Sequence, residues 1–260
     1  MELGLKGKTA LVTGSSRGIG RGVALALAAE GCDVMLTGRD AAALGDVADA
    51  IRKSGRRAGV AVLDLRDKGA ASSLIEQVRR EFGGLDILVN NAGATKRGDF
   101  LTLTDAEFED GYALKFFAHV RLARAAWPLL QERRGSLISI GGTGGRKPTA
   151  EFTIGASVNA AVAAFSKCLA DRGKEDGVQV NCIHPSMVET DRLWKRIKAE
   201  MERTGWPEDK ARKEMCRGFG ITRFGAVADV ADLITFIVSS RGTWLHGATI
   251  DLDGGEIPVL

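Results

Sequence analysis

The spacing richest in chemistry is Leu11 to Gly20, Leu-Val-Thr-Gly-Ser-Ser-Arg-Gly-Ile-Gly. Its glycines fall where an apolar run, Thr9 to Val12, gives way to helical spacing from Arg17 to Glu30. Gly14 allows a sharp turn, Gly18 lets backbone approach a pyrophosphate, and Gly20 lets the helix pack close to the strand. The helix start offers unpaired N–H groups and a positive dipole end to phosphates. A dinucleotide is therefore expected at Gly14, Ser16, Arg17, Gly18, Ile19 and Gly20. A carboxylate about 20 residues further on would take a ribose 2′-hydroxyl. That position instead offers Gly38 and Arg39, with no acid before Asp40. Arg17 and Arg39 suit a 2′-phosphate, so the expected cofactor is NADP(H). The alternative for Arg39 is a solvated surface charge.

Other chemistries find less support. Cys32, Cys168, Cys182 and Cys216 are scattered, without a CxxC pair or ligand-like histidine spacing, so reduced thiols and no metal are expected. With 36 basic against 33 acidic residues and a formal charge of +3, nothing compels a nucleic-acid partner. The opening Met-Glu-Leu-Gly-Leu-Lys-Gly-Lys lacks the apolar core of a signal peptide. No apolar run approaches the roughly 20 residues of a membrane helix. The expectation is a soluble cytoplasmic protein with a small-molecule substrate and no membrane partner.

The elements that must position the glycine turn follow from alternation. At 260 residues and 45% hydrophobic content, a single domain over 1–260 is the economical reading. Strand-like runs at Thr9–Val12, Asp33–Thr37, Ala58–Leu63, Asp86–Asn90, Ser136–Ile140, Val178–Ile183 and Thr249–Leu252 alternate with helical stretches. The long helices are expected at Asp105–Leu130 and Phe152–Arg172. The pattern predicts an α/β fold, a Rossmann-type doubly wound parallel sheet of about seven strands with helices on both faces.

The chain resembles the short-chain dehydrogenase/reductase family over essentially its whole length. The matching pieces are Thr13 to Gly20, Asp64, Asn90-Asn-Ala-Gly93, Val180-Asn181 with Pro185 and Thr190, and Asp253-Gly-Gly255. The resemblance implies a nicotinamide cofactor and a homotetramer, or a dimer, built on the two long helices. It adds Asp64 and Leu65 at the adenine end, and Asn91, Ala92, Gly93, Asn159, Pro185 and Thr190 along the cofactor.

The same resemblance implies a catalytic Asn-Ser-Tyr-Lys tetrad, from which this sequence departs. Matching Ala160 to Lys167 with the family's stretch after its lysine puts Asn159 at the lysine position and Gly155 at the tyrosine position. Gly142 then stands for the serine and Lys115 for the asparagine. The chain has one tyrosine, Tyr112, far upstream. Three readings stay open. In the first, hydride transfer persists and Lys115 supplies the proton, with Tyr112 three residues away on a regular helix. Thr143 and Thr153 flank the glycine positions and could hold a carbonyl. The structural alternatives are a space-filling Lys115, a packed Tyr112 and loop-capping threonines. The second reading is a non-redox lyase or dehydratase, with His184 as its base. The third is a nucleotide-binding pseudoenzyme or sensor.

The resemblance implies that residues 187–220 cover the substrate as a lid. Its basic residues, among them Arg192 and Arg196, outnumber its acidic ones, and Trp194, Trp206 and Phe219 give it an apolar side. Such a lid suits an anionic, partly apolar substrate; an ordinary amphipathic lid helix with a solvated basic face is the alternative.

Overall fold

Seven short runs rich in aliphatic residues pair as one parallel sheet. They are β1 (Thr9–Thr13), β2 (Asp33–Gly38), β3 (Ala58–Val62), β4 (Ile87–Asn90), β5 (Ser136–Ile140), β6 (Gln179–Pro185) and β7 (Thr249–Leu252), in the order β3-β2-β1-β4-β5-β6-β7. The computed structural model describes residues 2–258. Parallel neighbours need crossovers. These are α1 (Gly18–Ala29), α2 (Ala41–Lys53), α3 (Ala70–Phe82), α4 (Asp105–Tyr112), α5 (Ala118–Arg133) and α6 (Thr153–Asp176), with α7 (Asp191–Thr204), α8 (Glu208–Phe219) and α9 (Val227–Ile237) between β6 and β7.

Strand alternation sorts the core into two layers. Ala10, Val12, Ile87 and Val89 join Val23, Leu27, Val47 and Ile234 from α1, α2 and α9 on one face. Leu11 and Leu88 point the other way, to Leu74 of α3 and Leu122 of α5. The doubly wound sheet expected from the sequence is the observed one. Strand order reverses between β1 and β4, which pair through Ala10–Ile87, Leu11–Leu88 and Val12–Val89. A crevice opens beyond the carboxyl ends of strands at such a switch point. The loops after β1, β4, β5 and β6 therefore all reach one place.

Two expectations need correction. The helix expected from Asp105 to Leu130 is broken by a π-turn at Ala113–Phe117, which carries Lys115. Tyr112 accordingly packs edge-on against Phe116, centroids 6.2 Å apart, beside Ile154 and Val158. It makes no hydrogen bond to Lys115 among the described residues. Helix α9 was not anticipated; it packs on α1 where Gly22 leaves room for Val227. The segment expected to form a lid folds as a helix pair, α7 and α8, joined through Gly205 in a left-handed conformation. Finally, Ala150–Asp176 is long and apolar enough by composition to cross a membrane, against the expectation that no run is. It serves here as a crossover helix, with Ile154, Val158 and Val162 buried against Cys182 of β6.

Candidate active site

The glycine turn is built as its spacing requires. Gly14 and Gly18 have φ of 64° and 56°, and a Cβ on Gly20 would strike the Gly14 carbonyl. The turn is locked to β4 from two sides. Thr13 Oγ1 accepts the N–H groups of Asn91 and Ala92, both at 2.9 Å, and Asn91 Nδ2 donates to the Thr13 carbonyl at 2.8 Å. Ser15, which sequence reasoning missed, ties the turn to β2 by accepting the Thr37 N–H at 3.0 Å. Its signal lay in the motif itself, one residue past Gly14.

The expected cofactor residues line this crevice unevenly. Ser16 Oγ lies 3.6 Å from where a Cβ on Gly38 would sit, and Ile19 and Gly20 open α1 beneath the turn. Arg17 caps α1 with extended backbone and no side-chain cap, and no acid occupies the first turn. Its N–H groups are thus left for an anion. Arg39 is exposed at the end of β2 and reaches Asp64 at 3.5 Å. Partial desolvation of Asp64 is outweighed by hydrogen bonds from Arg66 and the Arg39 charge, which hold its carboxyl below its ordinary value. Leu65 is buried beside it. Across the crevice, Pro185 ends β6, and Thr190 Cγ2 stands 3.3 Å from where a Cβ on Gly18 would be. The Gly93 carbonyl accepts from Arg192 at 3.1 Å. Close backbone, free helix N–H groups and unpaired cations together fit a dinucleotide.

The other end of the crevice gathers Lys115, Gly142, Thr143, Gly155 and Asn159 around the loop after β5. The Lys115 stem passes Gly93, where a Cβ would meet its Cδ at 2.9 Å, and its Nζ donates to the Gly141 carbonyl at 3.0 Å. Burial, and then the Arg192 charge, push its pKa down to about 8. Asn159 is 2% exposed, and its Nδ2 lies 3.0 Å from a Cβ position on Gly142. The Asn159 Oδ1 is buried with no partner. Thr143 is buried on a short 3₁₀ turn, Thr143–Gly145. Thr153 opens α6 with its hydroxyl buried and unpaired. His184 lies under Gly141, and its Nδ1 accepts the Gly142 N–H at 2.8 Å. Burial lowers its pKa, so it is a neutral loop support. His119, one turn past Lys115, is also buried and neutral, with its pKa lowered to about 3, and bonds the Ala92 carbonyl through Nε2.

Two side chains here were not singled out from the sequence. The Phe152 ring covers Gly155 so closely that a Cβ there would lie 2.0 Å from it, and one on Gly144 would come within 2.5 Å of it. The Arg97 guanidinium stacks on the same ring, 4.0 Å from its centroid. The only local sign of either was a phenylalanine three residues before a glycine.

Comparison with known proteins agrees with this geometry. A sequence model of the short chain dehydrogenase family matches residues 8–201. The chain belongs to that family. It is 32% identical to the 3-oxoacyl-[acyl-carrier-protein] reductase FabG of Escherichia coli, over 97% of this chain and 98% of that protein. Among solved structures, L-sorbose reductase from Gluconobacter frateurii complexed with NADPH and L-sorbose superposes with a TM-score of 0.96 at 31% identity, covering 100% of both chains. A short chain dehydrogenase from Burkholderia cenocepacia in complex with NADP gives 0.86 at 34% identity, covering 97% and 98%.

Proposed function

We propose that this chain is an NADP(H)-dependent oxidoreductase that interconverts a small carbonyl compound and its alcohol, in a site rebuilt around Lys115. The cofactor is NADP(H), with Arg39 at the end of β2 and no carboxylate before Asp40. When bound, the nicotinamide supplies or accepts the hydride. The chain's own part is the oxygen. As a carbonyl is reduced, its oxygen gains negative charge and then a proton. Lys115 is an ammonium with one hydrogen bond, to Gly141, and two donors to spare. It can stabilise that charge and deliver the proton; the neutral amine can take the proton back in the oxidative direction. A pKa near 8 keeps both forms accessible near neutral pH. Thr143 offers a hydroxyl to orient the substrate oxygen. Asn159 Oδ1, an unpaired acceptor, can receive a hydroxyl of cofactor or substrate.

The resemblance places an asparagine where Lys115 stands and a lysine where Asn159 stands. The pair is exchanged, so one cation is retained, on the π-turn instead of on α6. The half-buried Lys115, its ammonium on the Gly141 carbonyl of the bare Gly141–Gly142 loop, is the observation that carries this reading. We place the protein in the cytoplasm as a homotetramer. The test is NADPH consumption across a panel of small ketones, with Lys115→Met expected to abolish it while calorimetric NADPH affinity stays unchanged.

A second reading, a nucleotide-binding protein without turnover, is favoured by one observation: Phe152 fills the space over Gly155. NADPH binding with no oxidation on any carbonyl compound would establish it.

A further inference from the structure

Pairing between β5 and β6 continues one bond past Ile140, where the Gly141 N–H donates to the Ile183 carbonyl at 2.8 Å. The next N–H, that of Gly142, goes to a side chain instead, and His184 Nδ1 accepts it at 2.8 Å. The imidazole comes this close because residue 141 is glycine; a Cβ there would stand 2.5 Å from its Nδ1 and Cε1. The Gly141 carbonyl and the Gly142 N–H belong to one planar peptide group. Lys115 Nζ donates to that carbonyl at 3.0 Å. One peptide is therefore gripped from both ends, by a ring on β6 and by an ammonium on the π-turn.

The surroundings of His184 keep it in the form this grip needs. Accepting through Nδ1 leaves that nitrogen bare, which puts the proton of a neutral imidazole on Nε2. Nε2 faces Cys182 Sγ at 4.0 Å, and burial pushes that thiol up to about 12, so it stays uncharged. Asp251, the register partner of His184 on β7, is ion-paired with Arg146 at 3.2 Å. Lys115, on the far side of the peptide, adds a positive charge that disfavours imidazolium, and burial acts in the same direction. With the ring wholly buried and both nitrogens turned to protein groups, His184 is out of reach of a substrate as a base.

We propose that His184 is a positioning residue: through the shared peptide it fixes the carbonyl that holds Lys115 Nζ where a substrate oxygen is to receive its proton. Hydrogen bonds in series polarise one another, so an accepted N–H makes the carbonyl of its own peptide a stronger acceptor for the ammonium. Without the ring, the peptide has glycine on both sides and little to stop it turning. The carbonyl then leaves Lys115, and the charged amine loses the bond that favours it. The action of Lys115 on a substrate oxygen rests on the oxidoreductase reading; the grip on the peptide does not.

Lys115 can be read directly, without turnover. Labelling with acetic anhydride across a range of pH, followed by peptide mass spectrometry, gives the titration of its amine in the intact protein. In His184→Leu the midpoint should fall by about one pH unit, because a bond to the charged form is lost. His184→Asn, whose Oδ1 can accept the Gly142 N–H, should return it most of the way. Gly141→Ala, which drives the ring out from the other side, should repeat the fall and carries the comparison if His184→Leu does not fold. Coincident midpoints in wild type and the folded variants overturn the proposal, as does a fall that asparagine leaves unchanged. On the carbonyl compound turned over fastest, kcat in His184→Leu should drop roughly ten- to hundredfold with KM for NADPH unmoved, and His184→Asn should recover it. A drop in kcat with an unmoved Lys115 midpoint overturns the positioning role and leaves the oxidoreductase standing. A lowered midpoint, restored by asparagine, in a protein that oxidises no NADPH with any carbonyl compound leaves the grip standing and overturns the oxidoreductase.

Discussion

Lys115 sets the energetics of the site at the scale of single residues. Desolvation and the Arg192 charge bring its folded-state pKa to about 8, below the roughly 10.4 of a free lysine. Between those values the unfolded chain binds a proton that the folded chain has lost, so stability rises with pH across that window. Below about pH 8 the cost of burying the charge is present in full. Lys115→Met should therefore raise the melting temperature at pH 7 and flatten its rise from pH 8 to 10, with roughly 1–3 kcal/mol involved. In the same variant, carbonyl reduction should fall roughly 10²–10⁴-fold. A wild-type melting temperature indifferent to pH above 8 would contradict the buried charge. Arg39 is the opposite case, an exposed cation whose one ion pair, to Asp64, is surface-like and weak. It is free to exchange that partner for a 2′-phosphate. Arg39→Ala should narrow the calorimetric preference for NADPH over NADH roughly tenfold or more, and equal wild-type affinities would remove the NADP(H) assignment.

The same site at the scale of elements is a contact between α6 and the loop that precedes it. Phe152 covers Gly155 and Gly144, so both glycines are required by one ring. The combined change Gly142→Ser, Gly155→Tyr and Asn159→Lys should then overpack the site by roughly 1–3 kcal/mol and yield no reductase gain. Adding Phe152→Ala should restore the melting temperature and let the new hydroxyl group act. A three-site variant as stable as wild type would show that the ring yields freely. What the sequence made legible here, and what it did not, has a physical pattern. The glycine turn was legible because Gly14 and Gly18 encode positive φ in their identity, and the limits of β5 and β7 because turn residues bracket aliphatic runs. The π-turn at Ala113–Phe117 was not, since the apolar spacing of Asp105 to Leu130 runs through it without a local mark. Arg97 on the Phe152 ring, and Lys115 on the Gly141 carbonyl, are meetings of residues far apart in the chain. No periodicity records them. Lys115 was reached only by counting along a resemblance, and its bond to Gly141 across 26 residues shows why the count mattered.

For the whole molecule, the question is what covers its remaining apolar surface. Isolated exposed hydrophobics are ordinary, but this chain exposes several large ones. On one side Phe117 is 47% exposed at the end of the π-turn, and the exposed Ala160 and Ala164 of α6 border a shallow groove with Lys167 and Gly247. Near the outer edge of the sheet, Trp244 is 97% exposed and Phe236 of α9 is 38% exposed. An indole left almost wholly in water forgoes roughly 2 kcal/mol or more of burial, which favours association through that edge. Two distinct self-complementary surfaces, each closed by a twofold axis, generate a dihedral tetramer, whereas one alone generates a dimer. Light scattering is therefore expected to report a tetramer at micromolar concentration. Trp244→Glu should reduce it to a dimer held by the α6 side, Phe117→Glu to a dimer held by the sheet edge, and the double variant to a monomer with the fold intact by circular dichroism. A wild-type monomer would refute both surfaces. A tetramer that survives Trp244→Glu would refute the edge surface and leave the α6 side to be tested by Phe117→Glu alone.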